Sequence, residues 1–374
     1  MQTEIIASIC DIPATDWDAL NSDNNPFTSY AFLSALEETG CVGGTTGWLP
    51  RYLILKIDGK ILAALPMFAK MHSWGEYVFD WAWAEAWQRN GLLYYPKLIV
   101  AIPFSPVTGK RMLMANEADV AEQLITAASQ YAESSDYSSL HWLFPTTEEC
   151  ARLEQSGLQT RHNVQFQWRN QSYGNFADFL ATMTSRKRKK IARERRRVRE
   201  QGLEFEVITG DALTTAYMDQ MYEFYLCTIH IHGSQAYLNR AFFHLLRERL
   251  ADNIVLILAS RHNETIAGAL NICSNDTLYG RYWGCNEEYD SLHFETCYYQ
   301  AIDYCIKAGL SRFEGGAQGE HKLSRGFLPQ ITCSAHWMSE NLLSDSITEF
   351  LDREKVHVAH YRDLLNEHSP YKNS

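Results

Sequence analysis

The chain has 374 residues, enough for two domains of ordinary size, and 46% of them are apolar, which excludes a disordered polypeptide. Its formal net charge is −11, which favours solubility but says little about partners because the charge is unevenly spread. Nine Cys occur with no C-x-x-C spacing, which excludes a zinc ribbon or redox motif; the odd, scattered count reads as reduced, mostly buried thiols in a cytoplasmic setting. Met1-Gln2-Thr3-Glu4 lacks a basic n-region and no apolar run is long enough to span a bilayer, so neither a signal peptide nor a membrane helix is expected.

In chain order, Ser29–Thr39 carries Phe32, Leu33 and Leu36 at helical spacing and stops at Gly40. Tyr52–Ile57, the turn Asp58-Gly59 and Lys60–Ala69 read as a hairpin. Pro103, Pro106 and Gly109 mark a loop before Arg111–Met114, and a helix over Ala118–Ser135 and a strand over Ser138–Phe144 follow. In the second half Ile254–Ser260, Ile266–Cys273 and Leu278–Gly284 form a meander. Phe294, Cys297, Tyr298, Ala301, Ile302, Cys305 and Ile306 then fall on one helical face that Gly309 ends, before a strand over Leu310–Glu314. Leu53-Ile54-Leu55 with Ile61–Leu65 matches Leu256-Ile257-Leu258 with Ile266–Leu270 in order and character, which predicts a duplicated α/β unit. The seam is expected between residues 155 and 175, giving domains of 1–165 and 166–374, the second with a basic helix over 186–200 and a C-terminal helix.

Four stretches can carry chemistry. Arg186–Arg199 holds ten Lys or Arg in fourteen residues against a single acid, Glu194. Ile191 and Val198 give it a thin apolar stripe for docking as a helix; the rest is either a solvated face or a polyanion site centred on Arg186, Lys187, Lys189, Lys190 and Arg193. His72–Arg89 interleaves four tryptophans with acids, which read either as core or as a cleft wall with His72, Glu76, Asp80, Trp81 and, just downstream, Tyr95 and Lys97 as binding candidates. Arg281 and Tyr282 close the second meander beside Gly284, which marks an edge feature or a close backbone approach to a ligand. Phe313–Pro329 leaves a strand through paired glycines and then sets Glu320, His321, Lys322 and Arg325 within six residues: a candidate base with fixed positive charge, or a solvated turn. His and Cys do not cluster at ligand spacing, so no metal site is expected.

His72–Trp81, Tyr94–Leu98, Pro103–Gly109 and Phe313–Pro329 together resemble the FemAB-like peptidoglycan biosynthesis/recognition family over roughly residues 25–340. That resemblance implies α/β (α+β) tandem GNAT-like domains, each a mixed, mainly antiparallel sheet flanked by helices. It also implies an acyl or aminoacyl transfer onto an amine, with aminoacyl-tRNA as donor and no tightly bound cofactor. A lysine after the last glycine-bearing strand assists transfer in the related FemABX enzymes; Lys322 and Arg325 both fit that description. Acyl-CoA-dependent GNAT enzymes cradle pyrophosphate with a glycine-rich loop, but the matching Asn286–His293 has three acids and no glycine, which disfavours acyl-CoA. Acyl-CoA at an atypical site, or a non-catalytic module binding a cell-wall precursor or RNA, are the alternatives. The expected partners are a small-molecule or peptide amine acceptor and tRNA.

Overall fold

The computed structural model describes residues 1–115, 120–317, 319–339 and 343–372. Contacts divide the chain into two compact units, Met1–Val164 with Ile331–Tyr361, and Gln165–Gln330 with Arg362–Ser374. The segment after residue 330 thus returns to the first unit before the chain ends in the second.

The first unit holds two sheets. One has the order β1 (Gln2–Ile6), β3 (Tyr52–Ile57), β4 (Lys60–Leu65), β7 (Leu113–Met114). In the other, β2 (Trp48–Pro50), β5 (Met67–Lys70), β6 (Lys97–Val100) and β8 (Ser139–Leu143) are neighbours in that order, and residues Ser334–Met338 of β15 (Leu328–Met338) pair with β8. The hairpin expected from 52 to 69 is present, but its return strand breaks at Pro66 into β4 and β5. Proline donates no ladder hydrogen bond, and its carbonyl accepts from Ala101 N–H at 3.1 Å instead. The helix Val120–Ser134 buries Ala121, Leu124, Ile125, Ala128 and Ala132 against Leu53, Leu55, Ala63 and Leu65. Each large aliphatic side chain so buried contributes about 1.5–3 kcal/mol. The first residues expected in this helix, Ala118 and Asp119, lie outside the described residues.

One sequence expectation is corrected in this unit. Cys150 and Cys333 form a disulfide, so the cysteines are not all free thiols. A separation of 183 residues left no local spacing to read; the pair meets because the helix Thr147–Gln155 brings Cys150 to within 6.5 Å, Cα to Cα, of Cys333 in β15.

The second unit has one mixed sheet ordered β10 (Glu204–Thr209), β11 (Ile254–Arg261), β12 (Glu264–Cys273), β13 (Thr277–Cys285), β14 (Arg312–Glu314), β9 (Gln159–Arg169, through Gln167–Arg169). β10 to β13 are antiparallel, while β14 lies parallel to β13. The parallel step needs a crossover, supplied by one helical run: Leu292–Phe294, a π-helical turn Glu295–Tyr299, and Gln300–Lys307. Its buried Ala301, Ile302, Cys305 and Ile306 match the apolar stripe read from the sequence. The two units share a theme, an antiparallel hairpin (β3–β4, β11–β12) followed by a parallel pair (β6–β8, β13–β14). Among the described residues no helix is long and apolar enough to cross a membrane.

Candidate active site

β13 and β14 pair only at Thr277–Arg312, Leu278–Phe313 and Tyr279–Glu314. β13 runs on to Cys285, so the two strands part beyond Tyr279 and Glu314. On its other edge β13 slips register against β12: Leu270 faces Tyr282 and Asn271 faces Gly280, which leaves Arg281 as the extra residue of a bulge. A bulge bends its strand and strengthens the local twist, so the parting and the bulge coincide. Tyr282 packs edge-on to Tyr225 at 5.4 Å between ring centroids, and its neighbour Arg281 lies 5.3 Å over it. Gly284 serves a different approach from the ligand contact considered above. A Cβ there would fall 1.7 Å from the carbonyl oxygen of Phe224, because the helix Thr215–Ile231 lies against the strand at that point.

The segment after β14 turns back through Gly316 and Gly319, at φ +86° and +114°, values that residues with a Cβ rarely adopt. It then forms one 3₁₀ turn, Glu320–Arg325. The four titratable side chains of that turn separate into different environments. Lys322 is buried, and its Nζ donates to Gly316 O at 2.9 Å. Burial pushes its ammonium pKa down to about 8, opposed by the Cys297 thiol. A Cβ on Gly316 would sit 3.9 Å from Lys322 Nζ and 3.8 Å from Gly280 O, so the ammonium stands where β13 and β14 part. His321 is exposed at one face and hydrogen-bonds Tyr298 Oη through Nε2 at 3.0 Å. Partial burial, then Arg325, Lys322 and Lys190, lower its pKa, so its imidazole is neutral at pH 7. His293, 6.1 Å away between ring centroids, is lowered to about 4 by burial and then by His321, Arg325 and Lys322. Glu320 is exposed. Arg325 is fully buried, with Nη2 3.0 Å from Glu194 Oε1 and Nη1 donating to His321 O at 2.8 Å.

The basic run forms the helix Ser185–Glu200 with Ile191, Glu194 and Val198 buried. Arg186, Lys189 and Arg193 are exposed, while Lys187 and Lys190 are half-buried. Partial burial and then repulsion from Lys190, Arg186 and Arg325 lower the Lys187 pKa. The acid-rich loop before the crossover helix is tied to the same basic helix, with Arg197 Nη1 2.6 Å from Asp290 Oδ2.

The 72–97 candidates lie in the first unit, and most point inward. Lys97 Nζ contacts Glu76 Oε2 at 2.8 Å, Ser73 Oγ at 2.9 Å and Asp80 Oδ2, all buried. Lys70, missed in the sequence, is 3.9 Å from the other Glu76 oxygen. Desolvation pushes Glu76 up to about 7 and Lys70 down to about 7; burial also opposes ionised Asp80, but Lys97 and the hydrogen bonds of Ser73 and Tyr94 hold it below the usual carboxylate range. His72 Nε2–H donates to Thr46 O at 3.0 Å, and burial lowers its pKa. Trp81 is 40% exposed and stacks edge-on with Trp74. Tyr95 bonds Ser73 at 2.8 Å and lines a cavity of about 510 Å³ with Trp87, Tyr137 and Trp337. The C-terminal end of the β6–β8 pair, the counterpart of the parting in the second unit, is closed. Gly109 N–H donates to Phe144 O at 3.2 Å, and buried Arg111 spans Leu143 O and Val107 O.

Residues 8–373 match the model of a family described as FemAB-like, peptidoglycan biosynthesis/recognition. The chain belongs to the FemAB-like family. FemAB-like membership makes it an enzyme of the transferase class, on a mixed α/β fold. The chain is similar in fold to the solved structure of FemX, at 12% identity and a TM-score of 0.54 over 93% of this chain and 100% of that one. It is similar to L-PGS from Bacillus licheniformis at 10% identity and TM-score 0.53, covering 88% of this chain and 98% of the other. It is also similar to the C-terminal domain of a putative lysylphosphatidylglycerol synthetase from Agrobacterium fabrum, at 9% identity and TM-score 0.55 over 91% and 96%. No individually curated protein matches the chain. Among the described residues no group of three or more His, Cys, Asp or Glu is placed to hold a metal ion.

Sequence reasoning missed Tyr298, His293, Tyr94, His141 and His336. The last two had a signal: Ser139-Leu140-His141 and Ser334-Ala335-His336 repeat one Ser-x-His pattern, and their strands pair His141 opposite His336.

Proposed function

We propose that this FemAB-like enzyme moves an aminoacyl group from aminoacyl-tRNA onto a primary amine of a cell-wall precursor, with the chemistry in the second unit. The observation that carries this reading is Lys322, a buried ammonium set where β13 and β14 part, on a turn flanked by the basic helix. The acceptor nitrogen attacks the ester carbonyl of the donor; the ester C–O bond breaks, and the nucleotide ribose leaves as its hydroxyl. Lys322 stabilises the oxyanion that forms, which a preorganised cation does best in a water-poor site. Neutral His321 takes the proton that the attacking amine nitrogen loses and returns it to the departing ribose oxygen, and the Tyr298 hydroxyl at 3.0 Å orients the ring. Arg186, Lys187, Lys189, Lys190 and Arg193 hold the donor's phosphates. Glu320, Arg281 and Tyr282 line the approach. Arg325 is assigned to structure, since its guanidinium is already committed to Glu194 and His321 O.

Acyl-CoA is the weaker donor. The loop that would cradle its pyrophosphate carries acids, one of them paired with Arg197. The name of lysylphosphatidylglycerol synthetase, a fold relative, is in keeping with an amino acid as the carried group. In the first unit Glu76, Asp80 and Lys97 pair with one another, while His72, Trp81 and Tyr95 are at least partly exposed.

The test is donor discharge. The protein is incubated with charged bulk tRNA or with acetyl-CoA, each with a panel of primary amines including peptidoglycan precursor peptides. The reading expects amide product from charged tRNA. Product from acetyl-CoA alone would replace the donor, and protein-independent hydrolysis with both would refute the transfer.

A further inference from the structure

Glu194 is the single acid among the ten cations of 186–199, and it turns inward on the face of Ile191 and Val198. Its two oxygens receive Arg325 Nη2 at 3.0 and 3.2 Å, and the Tyr299 hydroxyl donates to Oε2. Arg325 passes the hold onward. Its Nη1 reaches His321 O at 2.8 Å, across the turn that carries Lys322, and its guanidinium carbon lies 3.3 Å from the Phe294 ring centroid. The neighbouring Arg195 grips the same π-helical turn through Glu295 at 3.0 Å. A rival partner on the helix itself, Lys190, is looser at 3.9 Å and 41% exposed.

The turn needs such a clamp. It is bounded by Gly319 and Gly326, both at positive φ, so the backbone at its two ends is permissive rather than stiff. Its buried anchors are Lys322, Leu323 and Arg325. We propose that Glu194 is a positioning residue for Lys322: through Arg325 it fixes the 320–325 turn, so that the helix offering the phosphate-binding cations also sets the ammonium used in transfer. This rests on the transferase reading above. The arrangement explains why one carboxylate persists in a run where every other charge is positive. Without it, Arg325 would be a buried cation facing Lys187 and Lys190, and the turn would open to relieve that repulsion.

The experiment follows Lys322 directly, by titrating ε-¹³C-lysine NMR signals of the full chain, with the Lys322 signal identified by its loss in Lys322→Ala. Glu194→Gln and Arg325→Lys are compared with the parent. Release of the turn exposes Lys322, and its midpoint rises by about one unit or more towards the ordinary ammonium value. Simple loss of the Glu194 charge acts in the opposite direction, lowering the midpoint, so the sign separates positioning from electrostatics. Once a donor is confirmed, kcat in both variants falls about tenfold while affinity for bulk tRNA stays within about twofold. An unchanged Lys322 midpoint in a cooperatively folding Glu194→Gln or Arg325→Lys protein overturns the proposal. So does failure of both variants to fold, which makes the pair purely structural. Failure of the parent to bind tRNA contradicts the donor reading and leaves the Lys322 titration to decide this one.

Discussion

His141 and His336 meet Nδ1 to Nδ1 at 2.6 Å inside the first unit, both fully buried and 195 residues apart in sequence. His141 Nε2 lies 2.8 Å from Ser139 Oγ and 3.3 Å from Tyr94 Oη, whose own proton goes to Asp80 Oδ2 at 2.6 Å. One ring donates Nδ1–H and the other accepts at Nδ1, and Ser334 Oγ stands 2.8 Å from His336 Nε2. Each Nε2 faces a serine hydroxyl that can donate or accept, so every ring nitrogen has a partner while both rings are neutral.

Acid sensitivity follows from that pair. Burial lowers both pKa values well below the usual 6.5, so the unfolded chain takes up protons below pH 6.5 that the folded chain does not. Their contribution to stability is present above pH 6.5 and lost as pH falls below it, by about 1.4 kcal/mol per unit for each ring. Glu76, raised to about 7, changes in the opposite sense between pH 7 and 4.5 and offsets one ring. The steepness belonging to the pair is read as a difference: His141→Asn/His336→Asn should unfold with a pH slope shallower by up to about 2.7 kcal/mol per unit between pH 6.5 and 5. Urea melts at four pH values measure it, and parallel slopes would refute neutral buried rings.

Lys97 is expected to be structural. It faces two buried carboxylates, Glu76 and Asp80. Lys97→Met leaves them uncompensated and should cost about 3–5 kcal/mol. Adding Asp80→Asn and Glu76→Gln should restore much of that. A Lys97→Met protein of parental stability that no longer binds the acceptor would make Lys97 a ligand-binding residue instead.

The basic helix gives a salt-dependent prediction. Replacing Lys187, Lys189 and Arg193 with Gln leaves Ile191 and Val198 in place, so the helix should still dock. Affinity for tRNA should fall, and the slope of log K against log salt should flatten by about two to three, near 0.7–0.9 for each phosphate that is no longer neutralised. An unchanged slope by filter binding would reduce the run to a solvated face.

The Lys322 ammonium sets a basic limit on activity. With a pKa near 8, the cation is present below that pH and titrates away above it. The transfer rate at saturating donor should therefore fall as pH rises through about 8, and that limb should vanish from the residual activity of Lys322→Ala. A limb that persists in the variant belongs to another group.

The repeated unit was legible in the sequence because both hairpins use continuous apolar strands and tight turns, and the crossover helix repeats its apolar face over three turns. The break at Pro66 was visible as a residue but not as a change of sheet, since only the geometry of Ala101 N–H shows where the strand goes. In the candidate site, the sequence placed Lys322 and Arg325 together as cations of one loop. It could not separate them, because their difference lies in a partner 131 residues upstream: Glu194 takes Arg325 and leaves Lys322 at the strand edge. The buried status of Glu76, Asp80 and Lys97 was hidden for the same reason, since acids between tryptophans look alike whether they face a cleft or one another.

The central claim is tested most directly by a single-turnover reaction of charged tRNA, labelled in its amino acid, with parent and Lys322→Ala protein in the presence of a peptidoglycan precursor peptide bearing a free amine. With the parent, label should pass from tRNA to the peptide in an amide bond. The rate should be lower by about a hundredfold or more in a Lys322→Ala protein that folds and binds tRNA as the parent does. Equal rates for the two proteins, or transfer from acetyl-CoA with none from charged tRNA, would contradict the claim.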